Sequence, residues 1–306
     1  MAAPGEQDIF HHVKDMDYFH FPGETYLHLW GFELFGHHFQ LTKFMVLQVV
    51  AGLFVLWVFN GLARRIASGQ SARGGWWNFW ETLAVYIRDN VVRPTIGDGD
   101  HPHDDEHAHP PSDHAPSGHG HVHEGGHFTP VHPADKYLPY VWSCFFYILI
   151  CNLLGAFPWL GSATADINVT GALALVTLVT VIIYGSERSG FGGFWLSLAP
   201  GMDLPGPMKL VLVPLIWVIE AAGFFIRHCV LAVRLFANML GGHTVIAVFM
   251  LFIVQASQSG LFYVVLPSSI FGQLFVGLLE LLFAFVQAYI FSFLTTLFIG
   301  MAVHPH

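Results

Sequence analysis

The sequence predicts an all-α integral membrane protein with five membrane-spanning helices and one interfacial amphipathic helix. The last two spans are expected to be long, tilted and folded back on each other as an antiparallel hairpin. Three observations lead there. Only 11% of the 306 residues are charged and 54% are hydrophobic, against about 25% charged in a soluble domain. From Tyr137 to His306 there are nine Asp, Glu, Lys and Arg residues, too few to cover a water-facing surface. Five apolar stretches fall at or beyond the ~17–25 residues that a spanning helix needs.

The elements follow in chain order. Residues 1–40 are polar, acidic and aromatic and read as an extramembrane N-terminal arm. The opening MAAPGEQDIFHH has neither a basic n-region followed by an apolar h-region nor an Arg-rich amphipathic pattern, so neither a signal peptide nor an organellar leader is expected. Residues 41–65 hold the first span, with Lys43 before it and Arg64, Arg65 and Arg73 at or after its end. The positive-inside rule puts that end in the cytoplasm and the arm outside. Residues 74–94 mix Trp76, Trp77 and Trp80 with Glu81, Arg88, Asp89 and Arg93, as expected of a helix lying in the interface and ended by Pro94.

Residues 98–135 carry ten of the twenty histidines among Pro, Gly and acids. No core can be built from that composition, so a disordered loop is expected. His101, His103, His107 and His109 are candidates for weak zinc, nickel or copper binding, but their spacing implies no cage. Residues 136–306 are expected to form a four-helix membrane domain: spans at 136–160 and 169–185 around the polar turn GSATADIN, a glycine-rich turn at 186–194, then two segments at roughly 208–257 and 264–302. At 1.5 Å per residue, some 45 helical residues far exceed a ~30 Å hydrocarbon core. Five spans leave the C-terminus in the cytoplasm. Cys144, Cys151 and Cys229 lie in apolar segments without a CxxC and read as small buried residues. The net charge of −9 and the absence of a basic patch give no sign of a nucleic-acid partner.

Charge inside the apolar segments carries the functional argument. A guanidinium near the bilayer centre costs roughly 3 kcal/mol on insertion scales, yet Arg234 stands in LAVRLFANMLGGH. Glu220, Arg227 and Arg234 recur every seven residues and so line one helical stripe, which Asn238 joins; His243 faces elsewhere. Gln273, Glu280 and Gln287 form a second such stripe. In an antiparallel hairpin turning near Gly260, Arg234 falls at the depth of Gln287 and His243 at the depth of Glu280. An imidazole and a carboxylate meeting in the membrane make a proton-accepting pair. A structural ion pair is the plainer reading of Arg234, but Glu220 lies about 21 Å away along an ideal helix. A counter-charge on another subunit is the simplest answer.

These segments resemble subunit a of the F-type rotary ATP synthases. LAVRLFANMLGGH is similar to that family's arginine segment, with Arg234 and Asn238 matching. LIWVIEAAG (Glu220), ELLFAFVQAYIFSFLTTLF (Glu280 and Gln287), NLLGAFPWL and TADINVTGALAL (Asn152, Pro158, Asp166 and Asn168) continue the likeness, and ETLAVYIRDNVVRPTIG resembles the amphipathic helix of bacterial members. The resemblance implies two offset aqueous half-channels and an essential Arg234 that faces a ring of c subunits and bars direct leakage. It implies a proton path through Glu220, Asn238, His243, Glu280 and Gln287, and as partners the c ring, b-type peripheral-stalk subunits and the remaining synthase in the lipid bilayer. Many bacterial members carry Glu at the His243 position and His at the Glu280 position; this arrangement is like the mitochondrial one. The His-rich loop is outside the family pattern. No cofactor is expected. There is no GxxxxGK[ST] loop, so the chain is not catalytic alone and nucleotide chemistry belongs to partners. A bacterial inner membrane is the expected location. The alternative is a zinc carrier with a His-rich loop, which would need converging intramembrane ligands rather than an arginine.

Overall fold

The computed structural model describes residues 18–21, 25–28, 31–34 and 37–40 as backbone, and residues 42–67, 74–96, 132–157, 161–197, 206–257 and 259–303. The membrane body is all helical, as the sequence predicts, and five of its helices are long and apolar enough to cross a bilayer. The arm before it adds two antiparallel strand pairs. β1 (Tyr18–Phe21) pairs with β2 (Thr25–His28), and β3 (Gly31–Leu34) with β4 (His37–Gln40). Aromatic residues suit strands, and β1 and β2 read YFHF and TYLH.

α1 (Lys43–Ala67) buries Leu47, Ala51, Val55, Val58 and Leu62, spaced four, four, three and four residues apart along one face. Its opposite side leaves Val49, Leu53 and Leu56 exposed. Arg64 and Arg65 close the helix, where cations complement the helix dipole. α2 (Gly75–Ile87) lays Trp80, Ala84 and Ile87 on the body and leaves Trp76, Phe79 and Tyr86 outward. The Trp142 indole donates to the Ala84 carbonyl at 2.9 Å, fastening α2 to the second span.

Pro94 does not end this helix. The chain widens into a π turn at Arg88–Val92 and continues as α3 (Arg93–Ile96). A proline clashes with the carbonyl four residues before it. That carbonyl belongs to Asn90, inside the widened turn, where the ladder opens and the chain passes through.

α4 (Leu138–Gly155) is the centre of the body, with Val141, Phe145, Phe146, Ile148 and Leu149 buried. It enters through a 3₁₀ turn (Pro133–Tyr137) capped by His132. α5 (Ile167–Ser189) starts at Asp166, whose carboxylate accepts from the Asn168 N–H at 2.8 Å. Its buried stripe is Thr170, Ala174, Thr177 and Val181. The expected glycine-rich turn is shorter than 186–194: α5 runs to Ser189, Gly190 turns at φ 74°, and α6 (Phe191–Ser197) follows. A positive φ is open to glycine at little cost.

α7 (Gly206–Ala256) has 51 residues and α8 (Phe262–Val303) has 42. At ~1.5 Å per residue they are about 76 Å and 63 Å long, at least twice a ~30 Å core. They are joined by a tight turn in which Ser259 N–H donates to Ala256 O and Phe262 N–H to Ser259 O. The linking stretch is therefore shorter than expected, and Phe262–Ser269 is helical with Pro267 inside it. The polar turn GSATADIN is buried over its first part, at Ser162, Ala163, Thr164 and Ala165, while Ile167 and Asn168 at its end are exposed.

Candidate functional site

The site grows out of the antiparallel packing of α7 and α8. His243 Nδ1 stands 3.4 Å from Glu280 Oε1, with the imidazole 15% and the carboxylate 5% exposed. The pairing that matched depth predicts is met. Gly242 makes the approach possible, since a Cβ there would lie 3.2 Å from the Glu280 carboxyl. His243 Nε2 and Glu280 Oε1 are buried and have no hydrogen-bond partner among the described residues. A carboxyl group and an imidazole in contact, each with unspent hydrogen-bonding capacity, can exchange a proton with each other and with water. Lys43, buried at the start of α1, acts electrostatically on His243. Nothing in the sequence marks Lys43 for this place, since a lysine just before a span is common at membrane interfaces.

Arg234 lies on the outside of α7, among the exposed Val230, Val233 and Val245. No hydrogen bond or ion pair to it occurs among the described residues. Glu220 instead faces Arg227, Nη2 to Oε2 at 3.7 Å, with each side chain about half exposed. The seven-residue stripe therefore resolves into a facing pair and a separate arginine. Asn238, one turn on, is half-buried. Gln287 is 3% exposed and its Nε2 has no partner among the described residues. It shares the depth of Arg234 but turns inward, so the two make no hydrogen bond.

His101, His103, His107 and His109 lie outside the described residues. Among the described residues no group of three or more His, Cys, Asp or Glu side chains is arranged to hold a metal ion. The free Cys151 is buried, Cys144 half-buried and Cys229 exposed on α7.

A family model described as ATP synthase A chain matches residues 127–300, which contain every residue of the α7–α8 site. The chain belongs to that family. Proteins named ATP synthase subunit a are similar over nearly all of it. The one from Chloroherpeton thalassium is 32% identical over 98% of this chain and 78% of its own length. The one from Chlorobium phaeobacteroides is 31% identical over 98% and 77%. The subunit a of Brucella ovis is 42% identical over a shorter stretch, 56% of this chain and 66% of its own length. The likeness in α7 and α8 is thus a property of the whole chain, arm included. This member of the ATP synthase A chain family is an integral membrane protein of proton transport and ATP synthesis, and the zinc-carrier alternative draws no support from that kinship.

Proposed function

We propose that the chain is the proton-translocating stator subunit of a rotary F-type synthase, with Arg234 turned toward a ring of c subunits. The observation that carries this reading is the position of Arg234: charged at any physiological pH, on an apolar outer face, and without a hydrogen-bond or ion-pair partner among the described residues. A succession of carboxylates presented by a rotating ring would supply the missing counter-charge.

In this reading a proton reaches His243 and Glu280 from the outer side, near the turn between α7 and α8. It neutralises a ring carboxylate, which then moves into lipid uncharged. After most of a turn that carboxylate gives up its proton to a second half-channel near Glu220, on the cytoplasmic side. Arg234 stands between the two, draws in the ionised carboxylate and repels a proton that would pass straight through. Asn238 and Gln287 flank it. Each charge crossing is worth about 2.3 kcal/mol per 100 mV, so several must be accumulated for each ATP, and a ring does so. The N-terminus lies outside and the C-terminus in the cytoplasm of a bacterial inner membrane, with b-type stalk subunits holding the chain still.

Cysteine cross-linking tests the reading. Val233→Cys and Ala237→Cys, on the face of Arg234, are expected to cross-link to c subunits in membranes. An assembled synthase in which neither position reaches a c subunit would overturn it.

A further inference from the structure

We propose that Asn152, Ser162 and Thr164 form a buried hydrogen-bonded latch that positions Glu280 against His243, with Thr164 and Asn152 as positioning residues; the proposal rests on reading that pair as the outer proton site. All three side chains are at most 1% exposed. Thr164 Oγ1 lies 2.8 Å from Asn152 Oδ1 and 2.9 Å from Ser162 Oγ, and Asn152 Nδ2 donates to the Ala284 carbonyl at 3.4 Å. A carbonyl oxygen only accepts, so the single Thr164 proton goes to Asn152. Ser162 must then donate to Thr164. The chain of donors runs one way, from the loop through α4 to the backbone of α8. Aligned donors of this kind strengthen one another in a low-dielectric interior.

The latch ends beside the proton pair. Ala284 is one helical turn beyond Glu280, and Glu280, Ala284 and Gln287 are buried together on one face of α8. On the α7 side the loop is equally close. A Cβ at Gly155 would come within 2.5 Å of Ser162 Oγ and 3.1 Å of Met239 Cε, and Met239 is one turn before His243. Ala163 packs on Phe44 and Leu47, next to Lys43. The loop thus lies against the turn of α7 that leads to His243 and is tied through Asn152 of α4 to the turn of α8 that follows Glu280.

The titratable groups at this level are His243 from α7 and Glu280 from α8, with Lys43 of α1 acting on His243. Asp166 of the loop is occupied in capping α5. α4 carries no Asp, Glu, Lys, Arg or His. Its contribution is placement, through Asn152. Removing one member of a buried chain leaves its neighbours unsatisfied, and they relax by moving the helices they hold.

The test uses the complete synthase in liposomes, with ATP synthesis driven by a fixed potassium-diffusion potential at varied luminal pH. Thr164→Val keeps the shape and removes the hydroxyl. It is expected to lower synthesis per assembled complex by about tenfold, since small misplacements of reacting groups cost up to about a hundredfold, and to shift the luminal pH midpoint. Thr164→Ser is expected to restore both. Ser162→Ala removes only the outermost donor and is expected to give a smaller change in the same direction; it decides the matter if Thr164→Val does not assemble. A Thr164→Val complex with wild-type rate and midpoint would overturn the latch, as would fewer complexes each working normally. Glu280→Gln separates the two levels. If it leaves the midpoint unmoved, the outer-site reading fails; if it moves the midpoint while Thr164→Val does not, only the latch fails.

Discussion

Arg93 donates along one edge of its guanidinium to both carboxylate oxygens of Asp135, Nε to Oδ1 at 3.1 Å and Nη2 to Oδ2 at 3.0 Å, across the base of the His-rich segment. A forked arginine–carboxylate pair is among the stronger polar contacts. Asp135 also accepts from the His132 N–H at 3.3 Å, inside the cap that opens the second span. The two ends of the segment are therefore held together by Arg93, just before it, and Asp135, its last residue. Replacing residues 99–130 by a short Gly/Ser linker is expected to preserve assembly and coupled proton transport, with loss of nickel or zinc retention as the visible change. ATP-driven acidification of vesicles at pH 6 and pH 8 checks this; lost coupling at both would make the segment part of the machine.

Arg234 is expected to be indispensable. Arg234→Ala should leave the complex assembled and abolish ATP synthesis and ATP-driven pumping. Arg234→Lys keeps the charge but loses the planar fork, and severe impairment is expected there too. Synthesis rates in inverted vesicles, normalised to assembled complex, provide the measurement. A wild-type rate in the alanine variant would remove Arg234 from the mechanism.

His243 and Glu280 are in contact, so their effects should not add. Single changes (His243→Ala, Glu280→Ala) are each expected to slow proton flow, and the double change to cost less than their product. The exchanged pair, His243→Glu with Glu280→His, should recover more flow than either half of the exchange. Additive effects on the logarithm of the rate would show that the two side chains work separately.

Gly242 offers a gentler probe of the same contact. In Gly242→Ala the new methyl would sit 3.2 Å from the Glu280 carboxyl, so that group must give by a few tenths of an ångström. Synthesis is expected to fall by up to about tenfold, in keeping with the sensitivity of reacting groups to placement, with assembly unchanged. Gly277→Ala on α8 has open space around its Cβ and serves as the control. Equal rates in the two variants would mean that the Gly242–Glu280 contact has no part in proton flow.

By itself the sequence determined the membrane class, the five spans and the depth of each polar residue. Span-length apolar runs and a fixed helical rise leave little freedom there. Depth alone was enough to bring His243 to Glu280, because an antiparallel hairpin matches residues in reverse order along α7 and α8. What depth does not give is the direction a side chain faces, and that was decided by packing. Arg234 and Gln287 share a level, yet one points out of the protein and the other into it, according to how α7 and α8 are rotated against α4 and α5. Glu220 could be placed on the stripe of both arginines, but only the folded helix showed that it reaches Arg227. The run GSATADIN reads as a polar turn, and serine and threonine are normally left in water. Its Ser162–Ala165 part is buried because Asn152, on another helix, satisfies the Thr164 hydroxyl. Pro94 likewise reads as a stop, and the chain passes it through a π turn. Local composition sets which segments must leave water; the partners that let a polar group follow them come from elsewhere in the chain, and only the tertiary structure assigns them.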